Sequence, residues 1–155
     1  MASTLSSATM TVRVVESIKL NGTEQGAINT KTISSINEIS KRIVTITTTE
    51  ATIATFGIAA SQGTYIAANV RYIRFTNKDD TNFIMLTFKD EDNTEFRVKV
   101  DAGQSFIYNG DNAGGLVDTM KSNGTALSSG LADLYDITAD ADTASCDLEM
   151  FIASV

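Results

Sequence analysis

Residues Asn69–Val100, NVRYIRFTNKDDTNFIMLTFKDEDNTEFRVKV, decide the fold class. The segment reads as three strands joined by two acidic turns. Ile73 and Phe75 share a face with Arg71, while Tyr72, Arg74 and Thr76 take the other. Ile84, Leu86 and Phe88 alternate with Phe83, Met85, Thr87 and Lys89; Phe96, Val98 and Val100 alternate with Glu95, Arg97 and Lys99. A period of two marks strands with one buried and one wet face. Asn77–Asn82 and Asp90–Asn93 separate the runs, and the reading is a meander in which each strand follows its neighbour.

The flanking segments carry the same signature. Met10–Leu20 alternates Met10, Val12 and Val14 against Thr11, Arg13 and Val15, then resumes at Ile18 and Leu20, with a bulge expected near Val15 and Glu16. Asn21-Gly22 is a strong turn signal. Ile33, Ile36, Ile39, Ile43 and Ile46 fall at helical spacing, and Ser35 with Glu38 imitates a capping box. Against a helix, Ile, Val and Thr dominate Ile43–Thr49 and prefer strands, so Ile33–Thr49 is assigned as strand. Ala51–Ala60 is a strand ending near Gly57, Thr64–Ala67 a short edge strand, Phe106–Tyr108 the start of another, and Leu131–Asp142 one more. In Ser145–Val155, Cys146, Leu148, Met150 and Ile152 share a face, which builds the C-terminal segment into the sheet. Asn109–Gly130 is the longest irregular stretch, too long for a passive connection.

Eight to ten strands with turns every 8–12 residues give an all-β fold, a two-sheet antiparallel β-sandwich of jelly-roll type. The chain of 155 residues is divided into an N-terminal arm, 1–9, and a single β-sandwich domain, 10–155. The arm is rich in Ser, Thr and Ala and cannot support itself. Met1, Leu5 and the adjoining Met10 are its only large apolar side chains, and they are the candidate partner contacts.

Charge and composition narrow the function. The net charge is −7, and residues 101–155 carry Lys121 against nine carboxylates. Such a surface repels nucleic acid and anionic membranes. No stretch approaches the roughly 20 apolar residues of a membrane helix, and the first residues lack a basic, then apolar, signal-peptide pattern. The single cysteine, Cys146, allows no disulfide within the chain. Its phase with Leu148 and Met150 makes it a buried apolar residue.

The absence of His excludes Ser-His-Asp and Cys-His nucleophiles, and with one Cys a zinc site is excluded too. Asp90–Glu95 (DEDNTE) is the best calcium candidate, because it clusters oxygen ligands on one loop, but it lacks the turn glycine and distal Glu of an EF-hand. A solvated hairpin turn is the favoured reading of this run, as it is for Asp79-Asp80. Asp136, Asp140 and Asp142 form a second possible oxygen cluster. Gly110, Gly114, Gly115 and Gly124 have no following Lys-Ser/Thr of a phosphate loop. Asn21 and Asn123 match the glycosylation sequon by chance. Neither a catalytic residue nor a cofactor or metal is assigned; the expectation is that the chain is not an enzyme.

The run VRYIRFTNKDDTNFIMLTFKDEDNTEFRVKVDAGQSFIY and the ending ADTASCDLEMFIA resemble small all-β virion structural proteins of tailed bacteriophages, over Val70–Val155. The resemblance implies a capsid decoration, or cement, protein that stabilises the head shell by binding the major capsid protein. It also implies a virion location after synthesis in the host cytoplasm, and no catalytic residues. Decoration proteins commonly meet a lattice as small symmetric oligomers, and a homotrimer is expected. The alternatives are a tail or head–tail connector component and, from another class, a carbohydrate- or cell-surface-binding module, which the absence of Trp disfavours.

Overall fold

A computed structural model describes residues 5–121 and 130–155. Among them are thirteen strands: Ala8–Val15 (β1), Lys19–Leu20 (β2), Thr23–Glu24 (β3), Ile28–Ile36 (β4), Glu38–Ile46 (β5), Ala51–Gly57 (β6), Thr64–Ile66 (β7), Val70–Asn77 (β8), Ile84–Asp90 (β9), Glu95–Val100 (β10), Ser105–Asn109 (β11), Leu134–Ala141 (β12) and Cys146–Ser154 (β13). The only helical element among these residues is a single 3-10 turn, Ala67–Asn69. The all-β expectation is borne out; the segment expected as strand over Ile33–Thr49 is strand at Ile33–Ile36 and Glu38–Ile46, with a break at Asn37, and Thr47–Thr49 lie beyond its end.

Two sheets pack face to face. The first has the order β10-β9-β12-β6-β7 and the second β11-β8-β13-β5. Their inner faces are the alternating residues of the sequence pattern. Ile84, Leu86, Phe88, Ile137 and Phe56 of the first sheet meet Ile73, Phe75, Leu148, Met150 and Ile152 of the second in one apolar core. Phe88 is its hub, with ring contacts to Phe75 at 6.1 Å, Phe96 at 4.8 Å, Phe106 at 5.5 Å and Tyr108 at 5.3 Å. Those partners come from both sheets, so one side chain ties the layers together.

The meander is corrected. β9 and β10 do form a hairpin, Glu95↔Lys89 to Val100↔Ile84. β8 and β9 do not pair; they lie in opposite sheets. Their apolar faces meet across the sandwich, with the Phe75 and Phe88 rings edge to face at 6.1 Å. β8 instead pairs with the C-terminal strand, Leu148↔Asn77 to Ser154↔Val70, and β9 pairs with β12. The Asn77–Asn82 turn is therefore a crossover between layers. The fully buried Asn77 anchors it: Nδ2 donates to the carbonyls of Asn82 (2.8 Å) and Val100 (3.1 Å), and Oδ1 accepts from the Asp79 N–H (3.0 Å).

Two further departures are local. β7 runs parallel to β6 at the edge of the first sheet, against the antiparallel expectation. The strand expected over Met10–Leu20 starts at Ala8 and breaks at Glu16–Ile18 rather than merely bulging there. The register shift in this region lies farther back, where Ala8 faces Ile36 but Met10 faces Ile33; Ser35 sits in the extra space at φ 62°.

Candidate functional site

The segment from Ala8 to Ile36 forms one long β-hairpin. β1 pairs with β4 from Met10↔Ile33 to Val15↔Ile28, and β2 pairs with β3 through Lys19↔Glu24 and Leu20↔Thr23. Asn21 (φ 50°) and Gly22 (φ 80°) close the tip, the doubly left-handed turn that Asn-Gly favours. A kink separates the two ladders. It is held by the Glu16 N–H on the Ala27 carbonyl and the Gln25 N–H on the Ile18 carbonyl, both 2.9 Å. The Glu24 carboxylate accepts from the N–H groups of Ile18 (3.1 Å) and Gly26 (2.9 Å). Gly26 is required there, because a Cβ would lie 1.9 Å from the Glu16 carbonyl oxygen.

The base of the hairpin is anchored and its far half is not. Ile33 and Ile36 are buried in a small cluster with Tyr72 of β8 and Ala153 of β13; Met10, Val12, Phe151 and Val155 pack around it. This makes the base a third layer on the outer face of the second sheet. Moving outward, the hairpin borders β11 across a groove of about 320 Å³ lined by Val12, Val14, Lys31, Ile107 and Asn109. Exposure rises along the same path: Ile33 5%, Val14 46%, Val15 60%, Leu20 59%. Ile18 and Ile28 are also exposed. A two-stranded hairpin is marginal alone, and this one presents its apolar side chains to water beyond its anchored base.

The candidate contacts of the arm separate. Met1 lies outside the described residues. Leu5 is exposed, and Met10 packs on the chain's own hairpin-base cluster. The residues that sequence reading did not single out are Val15, Ile18, Leu20 and Ile28. The Asn-Gly turn located the tip, but alternation alone did not reveal that this half of the hairpin has no sheet beneath it.

The candidate chemical clusters have structural tasks. Asp90 is buried, and its Oδ1 accepts from the N–H groups of Asp92 (3.0 Å) and Thr94 (2.8 Å), shaping the β9–β10 turn. Asp79 Oδ1 does the same for Thr81 (2.8 Å) and Asn82 (2.6 Å), and these backbone bonds hold its carboxyl below the ordinary range. Asp136 and Asp140 stand on the outer face of the first sheet, and Asp142 lies past the end of β12. Burial pushes the Asp136 carboxyl up against the opposing pull of Lys89. No three metal-ligating side chains converge among the described residues. Gly110 and Gly115 allow close backbone approach, to Val70 and Ala67 respectively. Asn123 and Gly124 lie outside the described residues. Cys146 is buried, and burial raises its thiol pKa.

One other concavity, about 400 Å³, is lined mainly by Phe56, Ile66, Val117, Leu134 and Tyr135, with Glu91 and Asp133 at its edge. Both carboxylates accept from backbone: Glu91 Oε1 from the Asp133 N–H at 3.4 Å, and Asp133 Oδ1 from the Asp118 N–H at 2.8 Å. No helix among the described residues is long and apolar enough to cross a membrane. Compared with protein families, curated proteins and solved structures, the chain matches none.

Proposed function

We propose that this chain is a structural protein of a tailed-bacteriophage virion, deployed as a capsid decoration protein on the head shell through contacts with the major capsid protein. The observation that carries the reading is the projecting hairpin. Its outer half holds four large apolar side chains, Val15, Ile18, Leu20 and Ile28, half or more exposed. Ordering each of those residues costs roughly 1–2 kcal/mol of backbone entropy, and burial against another molecule is the available compensation. A rigid body with an apolar projection is the build of an assembly part. The resemblance of Val70–Val155 to virion proteins supplies the setting, and the acidic surface of residues 101–155 suits a body that does not contact packaged DNA.

The test is quantitative mass spectrometry of particles purified from the phage that encodes the chain, with heads and tails separated. The expected result is the chain in the head fraction, at a copy number that scales with the major capsid protein. Recovery in tails alone would replace the decoration role by a tail role. Recovery only in the unassembled lysate would overturn the virion reading.

A further inference from the structure

We propose that the concavity at the end of the first sheet, between β6 and β12, binds an arginine side chain presented by a partner protein. The proposal rests neither on the virion reading nor on the hairpin.

Two departures from a regular ladder open the site. β6 and β12 pair only as far as Asp136↔Thr55. Each then follows its other neighbour, β6 with β7 to Gly57↔Ile66 and β12 with β9 to Leu134↔Asp90. Phe56, Gly57 and Ile58 line the gap from one strand, and Asp133, Leu134 and Tyr135 from the other. The β12–β9 register also jumps, from Leu134↔Asp90 to Asp136↔Lys89, so Tyr135 is the extra residue of a β-bulge. Bulges re-aim side chains. This one leaves Tyr135 51% exposed at the mouth, while Leu134 and Phe56 beside it are 1% and 2% exposed. The result is a concavity of about 400 Å³ with a buried apolar floor, within the roughly 300–1,000 Å³ of small-ligand sites.

Charge selects the occupant. Glu91, from the β9–β10 turn, and Asp133 stand at the edge. Glu91 Oε1 accepts from the Asp133 N–H, and Asp133 Oδ1 from the Asp118 N–H, which holds the two carboxylates near one another. Neither forms an ion pair among the described residues, and no Lys or Arg lines the concavity. Like charges against low-dielectric walls concentrate an attractive field for a cation. The ligand that matches has an apolar stem for the floor and a cationic head for the edge. A guanidinium suits it better than an ammonium. Its planar fork meets carboxylates at two points, and its face stacks on an aromatic ring such as that of Tyr135. Ile58 indicates the source. It lines the same concavity and is 99% exposed. A free small cation leaves Ile58 in water, whereas an arginine on a partner chain brings neighbouring residues over it.

The test follows amide NMR shifts of the isotope-labelled full chain during titration with propylguanidinium, the arginine side chain without its backbone. Saturable shifts are expected at Gly57, Asp133 and Tyr135, with a dissociation constant on the order of millimolar for so small a probe. Propan-1-ol, the stem without the charge, should bind at least about 10-fold more weakly. Glu91→Gln and, separately, Asp133→Asn should each weaken propylguanidinium about 5-fold, the worth of one exposed charge. Both amides keep an oxygen to accept from the backbone, so the fold is retained. A capped Leu-Arg-Leu tripeptide should bind at least about 5-fold more tightly than propylguanidinium, and Ile58→Ser should remove that advantage alone. Absence of saturable shifts, propan-1-ol binding as well as the cation, or amide variants that bind unchanged would overturn the site. A tripeptide no tighter than propylguanidinium would assign the site to a free cation and overturn the partner side chain. If an amide variant loses its dispersed spectrum, the wild type in about 0.5 M salt takes its place. Unchanged affinity for propylguanidinium there overturns the role of the carboxylates. Because no particle is involved, failure here is separable from failure of the virion reading.

Discussion

Asn77→Ala tests the crossover that makes this chain a sandwich rather than a meander. The side chain is fully buried at the point where β8 leaves the second sheet and the chain turns toward β9. It makes three hydrogen bonds, to the carbonyls of Asn82 and Val100 and from the Asp79 N–H. Each is worth about 1 kcal/mol net, and a buried group left unpaired costs about 1–3 kcal/mol. The Val100 carbonyl belongs to a residue only 2% exposed, so water replaces the lost donor poorly there. The turn carbonyl of Asn82 is more readily rehydrated. The sum is a loss of about 3 kcal/mol, a large part of a small domain's stability. Urea unfolding followed by tyrosine fluorescence measures it, with the slope unchanged if the native fold is kept. Asn77→Asp is harsher at neutral pH, because a carboxylate then faces two carbonyls, and its deficit relative to Asn77→Ala shrinks as acid protonates it. A loss below about 1 kcal/mol for Asn77→Ala would refute the anchoring role.

Three further outcomes follow from single side chains. The Thr87 hydroxyl is buried with no partner, so Thr87→Val should be neutral or stabilising by up to about 1 kcal/mol, read as an unchanged or raised urea midpoint. The Glu149 carboxyl is held below its ordinary range chiefly by the Arg74 hydrogen bond. A depressed folded pKa gives stability that is present above the unfolded pKa and lost as pH falls through the folded one; Glu149→Gln should therefore flatten the acid limb of a stability–pH curve while leaving its neutral-to-acid ordering intact. Cys146 is 1% exposed with its thiol pKa raised by burial, so a thiol reagent should label it slowly in buffer and rapidly in denaturant.

Much of the fold was legible because period-two alternation is set by burial on one face. The inward sets of β8, β9 and β13 were assigned from sequence alone, down to Cys146 in phase with Leu148. What was illegible is what alternation does not encode. Asn77–Asn82 and Asp90–Asn93 have the same polar turn chemistry, yet one crosses between sheets and the other closes a hairpin. The difference lies in Asn77's buried contact with Val100, distant in sequence. The placement of β12 between β9 and β6, and of β13 between β8 and β5, is likewise fixed by long-range ladders. At the candidate site, Asn21-Gly22 marked the hairpin tip correctly. The same alternation runs through Met10, which is packed, and Val14, which is half exposed, because a strand pattern reports a face and not whether anything covers it.

The central claim is that the outer half of the hairpin is covered by protein in the assembled state, on a virion. A single-particle cryo-electron microscopy reconstruction of the native phage tests it most directly. The account predicts density for the two-sheet body on the head surface, with Val15, Ile18, Leu20 and Ile28 buried against a neighbouring chain. A particle without that body, or one in which the hairpin points into solvent, would contradict it.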